Sequence, residues 1–294
     1  LRKFREEYMK TFVTIIIVFT AIVGGGYLLA QGNETVRATW LWNPWLFIQD
    51  EDRVLSFLEN KRISDVYVQI DKEVPIDAYR QFIRRANEKG IRVYALDGAP
   101  NWIEHEEALE RLFQRLDQYE NDAQPNEKFS GVHLDVEPYL HVWWRTNREK
   151  AIVSYQSVLQ RARQLANERS LRFEVDIPFW FDEVKHRDKT LAEWVIAHVD
   201  GVTIMAYRDR ADAIINIVEK EMRLAKKYGK QVVVGVETGQ VGEGDDVSFF
   251  EEDEAYMNEQ LAIVQKHYAR TKSFSGIAVH HTEQWMKRNG IVFE

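Results

Sequence analysis

From Ala38 onward, short runs rich in β-branched and aromatic residues alternate with stretches whose apolar residues recur at helical spacing. This alternation is typical of a parallel sheet in which a helix follows each strand. The predicted strands are Thr39–Trp42, Ser64–Ile70, Arg92–Leu96, Gly131–Glu137, Arg172–Ile177, Gly201–Tyr207, Gln231–Glu237 and Gly276–His280. Eight such units in about 250 residues predict a single (β/α)8 TIM barrel, an α/β fold, over residues 38–294. A doubly wound open sheet is the alternative, but the first strand lacks the glycine-rich turn of its nucleotide-binding form.

Within the predicted strands, polar and apolar positions alternate with a period of two. The fourth strand shows this best, because His133, Asp135 and Glu137 lie in phase and the positions between them are apolar. In a barrel, the apolar face should pack on the helices and the polar face should line the interior and its C-terminal mouth. Burying several carboxylates costs free energy unless each is paired or hydrogen-bonded, and their convergence on one cavity is typical of a functional site.

Other predicted strands also end in polar groups. These are Asp97, Asp176, Tyr207, Glu237 and His280. Glycoside hydrolysis needs a carboxylic acid to protonate the leaving oxygen, and a second carboxylate or the substrate's own acetamide to stabilise the sugar cation. We expect Glu137 and Glu237 to face each other at the roughly 5–5.5 Å of a retaining mechanism, with Asp176 as the alternative second carboxylate. Asp135 should raise the pKa of Glu137 toward that of a working acid.

Two motifs resemble those of the chitinase family of barrel glycoside hydrolases. The run Ser130–Glu137 resembles a degenerate D-G-x-D-x-D-x-E, and Met205–Tyr207 resembles the M-x-Y of strand six. The resemblance implies that Glu137 is the general acid, that Asp135 positions the substrate acetamide and that Tyr207 assists.

The chain departs from the chitinase pattern at four positions. Ser130 and His133 replace two aspartates, Arg208 replaces an acidic residue, and His280 stands where a tryptophan is expected. Because barrels of this kind lose activity by losing acids, the departures keep open a second hypothesis, a catalytically inactive barrel that binds glycan at the cell surface.

A second resemblance is to the large retaining clan with an acid/base glutamate on strand four and a nucleophilic glutamate on strand seven. Glu137, followed by Pro138, and Glu237 match these positions, while Val136 replaces the asparagine that usually precedes the acid. Under this resemblance Glu237 is the nucleophile, and the choice between it and an acetamide-assisted mechanism stays open.

Tryptophans are concentrated after the predicted strands. Seven of the nine follow a strand at the proposed active end, and they are Trp42, Trp45, Trp102, Trp143, Trp144, Trp180 and Trp285. Flat indole faces suit stacking on sugar rings. We therefore predict a substrate-binding set that is completed by polar groups at the strand ends. It comprises Trp42, Asp97, Trp102, Trp143, Trp144, Asp176, Trp180 and His280.

Composition narrows the function classes. A net charge of −8 with scattered basic residues argues against a nucleic-acid partner, which would need a basic stripe. A metal-dependent deacetylase is a weaker third hypothesis, because the first strand lacks a His-x-His pair and His280 and His281 should point to opposite faces. We expect no cofactor and no catalytic metal, and a polysaccharide or oligosaccharide as the partner.

Residues 1–30 form a basic stub followed by an uncharged run from Phe12 to Ala30. At about 1.5 Å per residue in a helix, this run is long enough to cross the ~30 Å hydrocarbon layer. It predicts either a transmembrane anchor or a cleaved signal peptide, followed by a linker over 31–37. Positive charges before the run predict a barrel outside the cytoplasm, held at the cell membrane by a single span or secreted. An extracellular or cell-wall polysaccharide is then the expected substrate.

Overall fold

The computed structural model describes residues 35–242, 244 and 246–293. Eight parallel strands close into a barrel. They are β1 (Val36–Leu41), β2 (Asp65–Gln69), β3 (Arg92–Asp97), β4 (Gly131–Leu134), β5 (Arg172–Pro178), β8 (Gly201–Met205), β9 (Gln231–Glu237) and β10 (Phe274–His280). Their order around the barrel is β1, β10, β9, β8, β5, β4, β3, β2. The predicted (β/α)8 barrel is therefore confirmed.

Helices surround the barrel and connect its strands. They are α1 (Trp45–Asn60), α2 (Ile76–Glu88), α3 (Glu107–Glu120), α4 (Trp143–Thr146), α5 (Arg148–Glu168), α6 (Leu191–His198), α7 (Ala211–Tyr228), α8 (Glu254–Tyr268) and α9 (Thr282–Arg288). Short 3-10 turns span Pro100–Ile103, Pro125–Glu127, Pro138–Leu140 and Phe179–Asp182, and β6 (Lys185–His186) pairs with β7 (Lys189–Thr190) in a small hairpin. Helix α1 is kinked at Asp50, whose carboxylate accepts the Arg53 backbone N–H at 2.9 Å and so starts the second half of the helix.

The two faces of the barrel strands differ as the alternation predicts. Outward-facing residues such as Val66, Val132 and Val234 are fully buried in one large cluster with the helices. Burial of each such side chain stabilises the fold by about 1.5–3 kcal/mol, which makes this layer the main source of stability. Inside the barrel a smaller cluster contains Trp40 and Tyr67, and polar side chains fill the remaining space.

Two strands end two or more residues earlier than predicted. Strand β4 stops at Leu134 and β8 at Met205, whereas the predicted strands continue to Glu137 and Tyr207. The Asp135 N–H still bonds the Asp97 carbonyl at 3.0 Å, but the chain then turns at Glu137 into the 3-10 turn. Asp135, Glu137 and Tyr207 consequently lie just beyond the strand ends, at the mouth of the barrel.

The predicted anchor or signal segment over 1–30 lies outside the described residues. Strand β1 begins at Val36, so it includes the last two residues of the predicted linker. In the part of the chain that the structure describes, no helix combines the length and apolarity that a membrane span needs.

Candidate functional site

The C-terminal ends of the barrel strands bring most of the predicted polar residues together at one mouth. They are Asp135 and Glu137 after β4, Asp176 in β5, Tyr207 after β8, Glu237 at the end of β9 and His280 at the end of β10. In a barrel this end holds the loops and strand termini that carry chemistry.

Glu137 is half-buried and is held by a neighbour on its own loop. The Tyr139 hydroxyl donates a hydrogen bond to Glu137 Oε1. Burial raises the pKa of Glu137, and the negative charge of Asp176 adds to the rise, although the hydrogen bond from Tyr139 opposes it. A carboxyl that keeps its proton more readily than usual suits a general acid.

Asp135 lies two residues before Glu137 and is fixed by its backbone. Gly98 packs directly against it, with φ +154°, and a Cβ at Gly98 would lie 2.2 Å from the Asp135 carbonyl oxygen. Burial raises the pKa of Asp135, as do the charges of Asp176 and Glu137. Among the described residues Asp135 Oδ1 has no hydrogen-bond partner although it is buried. Asp135 therefore keeps unused hydrogen-bonding capacity beside Glu137.

His133 lies deeper in the barrel and forms a buried network. Its Nε2 lies 2.9 Å from Asp176 Oδ1, and the Trp40 indole N–H donates to Asp176 Oδ2 at 2.9 Å. The ring stacks on Tyr67 with centroids 3.8 Å apart, and Nδ1 lies 3.7 Å from Glu174. Burial lowers the pKa of His133, but Asp176 and Glu174 outweigh it and raise the pKa to about 9. His133 is thus a core imidazolium, and both oxygens of Asp176 are engaged by protein groups.

Glu237 has the opposite electrostatic environment to Glu137. Its Oε1 accepts the backbone N–H groups of Thr238 and Gly239 at 2.7 and 2.6 Å, and its Oε2 lies 2.7 Å from His280 Nδ1. Burial would raise the pKa of Glu237, but the contact with His280 and the two backbone donors together lower it. Glu237 is therefore held as a carboxylate.

Tyr207 lies in the field of the same carboxyl groups. Burial raises its pKa well above the ordinary range, and negative charges raise it further. Those charges belong to Glu237, Asp135, Asp176 and Glu137. The Tyr207 ring lies 6.1 Å from that of His280, and the Arg208 guanidinium donates back to the Tyr207 carbonyl at 2.6 Å while stacking over Phe179. Tyr207 is a protonated hydroxyl, available as a donor among the site carboxyls.

The predicted stacking tryptophans divide by burial. Trp42, Trp143 and Trp180 are partly exposed. Trp102 and Trp144 are only 5% and 6% exposed and belong to the hydrophobic core, where Trp144 stacks on a neighbouring phenylalanine. Among these five residues, the partly exposed indoles are consequently those of the first three. Of the other tryptophans that follow a strand, Trp45 is 39% exposed.

Trp285 and Asp97 also occupy defined places. Trp285 is 1% exposed and packs edge-on against Phe57, so it is a core residue. Asp97 ends β3, and its Oδ1 accepts the Gly98 N–H at 2.8 Å. Burial raises the pKa of Asp97 to about 6, although that hydrogen bond opposes the rise.

Two partners of the site carboxyls are absent from the sequence prediction. Trp40 bonds Asp176, and Tyr139 bonds Glu137. The sequence pattern could have predicted that Trp40 faces the barrel interior, since it lies two residues before Trp42 and so is on the same side of β1. Tyr139 has none, because its position depends on the 3-10 turn that follows Glu137. Within residues 35–242, 244 and 246–293, no three His, Asp or Glu side chains are grouped to hold a metal ion.

No family model and no curated protein matches the sequence. Many solved structures share the fold. A GH18 chitinase from Pseudoalteromonas aurantia has a TM-score of 0.56 at 14% identity, covering 84% of this chain and 94% of that one. A GH18 chitinase from Cycas revoluta in complex with (GlcNAc)3 has a TM-score of 0.55 at 13% identity, covering 87% and 97%. The spore cortex-lytic enzyme SleL of Bacillus megaterium has a TM-score of 0.53 at 10% identity, covering 88% and 74%. At these identities the likeness concerns the fold.

Proposed function

We propose that the chain is a glycoside hydrolase that cleaves a polysaccharide, with Glu137 as its general acid/base. The observation that carries this proposal is the contrast between two carboxyls at one barrel mouth. The pKa of Glu137 is raised by burial, whereas the pKa of Glu237 is lowered by its hydrogen bonds, chiefly that with His280, against the effect of burial. Environments that separate two pKa values in this way supply one acid and one anion at the same pH.

Each group at the mouth has a role in this proposed reaction. Glu137 gives its proton to the glycosidic oxygen as the bond to the sugar breaks, and then takes a proton from water when the product forms. Asp135, whose pKa is raised by burial and whose Oδ1 has no partner among the described residues, hydrogen-bonds and orients the sugar substituent next to the reacting carbon. The Tyr207 hydroxyl contacts the reacting sugar.

The second carboxylate has two candidate functions. Glu237 serves as the nucleophile, or the substrate's acetamide does so and Glu237 supplies only negative charge that stabilises the sugar cation. The engagement of both Glu237 oxygens favours the second version, because a nucleophilic oxygen must give up a hydrogen bond as it attacks. The chitinase likeness, including the Cycas revoluta enzyme in complex with (GlcNAc)3, supports an N-acetylated substrate.

The substrate and location extend the proposal. The likeness to a spore cortex-lytic enzyme supports a bacterial envelope polysaccharide. The uncharged run from Phe12 to Ala30 supports action outside the cytoplasm, from a membrane anchor or after secretion. Partly exposed Trp42, Trp143 and Trp180 supply the stacking surface.

The test is a screen of the purified chain against envelope and matrix polysaccharides, with new reducing ends detected by mass spectrometry. Glu137→Gln is the test variant. Glu168→Gln, on the exposed end of α5, is the matched control. We expect release by the wild type and the control and none by Glu137→Gln. Undiminished release by Glu137→Gln would remove Glu137 from the mechanism.

A second candidate function, an inactive glycan-binding barrel, is favoured by one observation. Asp176 is fully engaged by His133 and Trp40, so one carboxyl of the mouth is committed to structure. Tight binding of a polysaccharide without release by either wild type or Glu137→Gln would support this alternative.

A further inference from the structure

We infer that Trp42, His280 and Glu237 form a directed hydrogen-bond relay that fixes the tautomer of His280 and keeps Glu237 ionised. Trp42 and His280 are then positioning residues for the proposed reaction, and this catalytic consequence rests on the proposed function. The tautomer itself does not. The relay joins the ends of three adjacent strands, β1, β10 and β9.

The direction of the relay follows from which atoms can donate. The Trp42 indole N–H lies 3.1 Å from His280 Nε2, and an indole nitrogen can only donate. Nε2 must therefore be the acceptor and carry no proton. The proton of a neutral imidazole is then on Nδ1, which lies 2.7 Å from Glu237 Oε2 and donates to it.

The other end of the relay fixes the carboxylate. Glu237 Oε1 accepts two backbone N–H groups, from Thr238 and Gly239. With Nδ1–H of His280 at Oε2, three donors surround one carboxyl. A proton on either oxygen would face one of these donors, so the arrangement selects the ionised form even though only 6% of Glu237 is exposed.

The ring of His280 is also held from its faces. Trp40 packs edge-on at 5.2 Å between centroids, and Tyr207 lies 6.1 Å away. The titratable groups that face His280 are therefore Glu237, Tyr207, His281, whose ring centroid lies 4.9 Å away, and, through its charge, Glu137. Fixing the ring also fixes the direction in which Nδ1 meets Glu237 Oε2.

The tautomer is tested by long-range proton–nitrogen NMR of the full chain at neutral pH. The chain has eight histidines, and the spectrum of His280→Asn identifies the signals of His280. Trp42→Phe removes the indole N–H. Trp45→Phe makes the same change at an exposed indole that bonds Asp71 instead, and is the matched control.

We expect wild type and Trp45→Phe to show His280 with its proton on Nδ1 and no proton on Nε2. In Trp42→Phe, Nε2 has lost its donor, so we expect a fraction of His280 to carry a proton on Nε2. A proton on Nε2 of the wild type would overturn the relay. So would a Trp42→Phe spectrum identical to that of the wild type.

The catalytic consequence is tested by the pH dependence of kcat/KM on the polysaccharide found in the screen. In His280→Ala the pKa of Glu237 rises, so the acidic limb of the kcat/KM profile should move to higher pH by about one unit. On the acid side of the profile, kcat/KM should then be about tenfold below that of the wild type. His280→Asn keeps a donor near the Nδ1 position and should move the limb part of the way back. A loss that is equal at every pH, with no return in His280→Asn, would show that His280 only supports the fold. If no polysaccharide is cleaved, the proposed function fails while the NMR result still decides the relay.

Discussion

Replacing His133 by glutamine should remove a buried positive charge and leave a neutral donor near Nε2. His133 is fully buried and bonds Asp176. Its pKa rises from the ordinary 6.5 to about 9. At about 1.4 kcal/mol for each tenfold change in proton affinity, this rise corresponds to about 3 kcal/mol of folding stability. Measured costs of breaking buried ion pairs, about 3–5 kcal/mol, are of the same size.

The sign of the pH dependence follows from the direction of the shift. A basic group whose pKa is raised in the folded state contributes fully below its unfolded value, here 6.5, and loses its contribution as the pH rises through about 9. The difference in unfolding free energy between wild type and His133→Gln should thus be about 3 kcal/mol at pH 6 and shrink steadily by pH 10.

The assay is denaturant unfolding at several pH values between about 6 and 10, following tryptophan fluorescence. His267→Gln, on an exposed position of α8, is the control and should match the wild type throughout. A difference between wild type and His133→Gln that stays constant across this range would show that His133 is neutral in the folded protein and would refute the argument.

Three further predictions follow from single contacts. Glu221 in α7 is fully buried, neither oxygen has a partner among the described residues, and burial raises its pKa to about 8. An acid whose pKa is raised in the folded state destabilises the fold only above its unfolded pKa, here 4.5. Glu221→Gln should therefore increase the unfolding free energy by up to about 5 kcal/mol near pH 8 and leave it almost unchanged at pH 4. Denaturant titrations at the two pH values measure both effects. The same difference between wild type and Glu221→Gln at pH 4 and pH 8 would contradict this prediction. Gly98→Ala forces a Cβ onto the Asp135 backbone at positive φ and should lower both stability and glycan cleavage, read by melting temperature and reducing-end release; wild-type values of both would show that the loop adapts. Trp144→Ala should cost about 3–5 kcal/mol in denaturant unfolding because the indole is a core residue, whereas a cost below 1 kcal/mol would place it outside the core.

The fold could be predicted because each strand carries its own two-residue period. Val132 and Val234 belong to a continuous apolar layer in the sequence pattern and in the structure. His133 could be predicted as a hydrogen-bonded core residue for the same reason, since it lies deep in β4 on the polar face.

The partners of the site residues could not be predicted in the same way. The bond between His133 and Asp176 depends on the register of β4 against β5, in which His133 pairs with Glu174. Trp102 and Trp144 follow strands just as Trp42 does, yet they are buried, because the turns after β3 and β4 direct their rings back into the core. Position after a strand therefore predicts the end of the barrel on which a residue lies, but not whether its side chain is open to a ligand.

The most direct test of the central claim compares two leaving groups. The kcat/KM of wild type and Glu137→Gln is measured on the cleaved polysaccharide and on a dinitrophenyl glycoside of the same sugar, whose leaving group departs without a proton. If Glu137 is the general acid, the variant should lose about 10²–10⁴-fold on the polysaccharide and far less on the dinitrophenyl glycoside. Equal losses on both substrates would contradict the assignment.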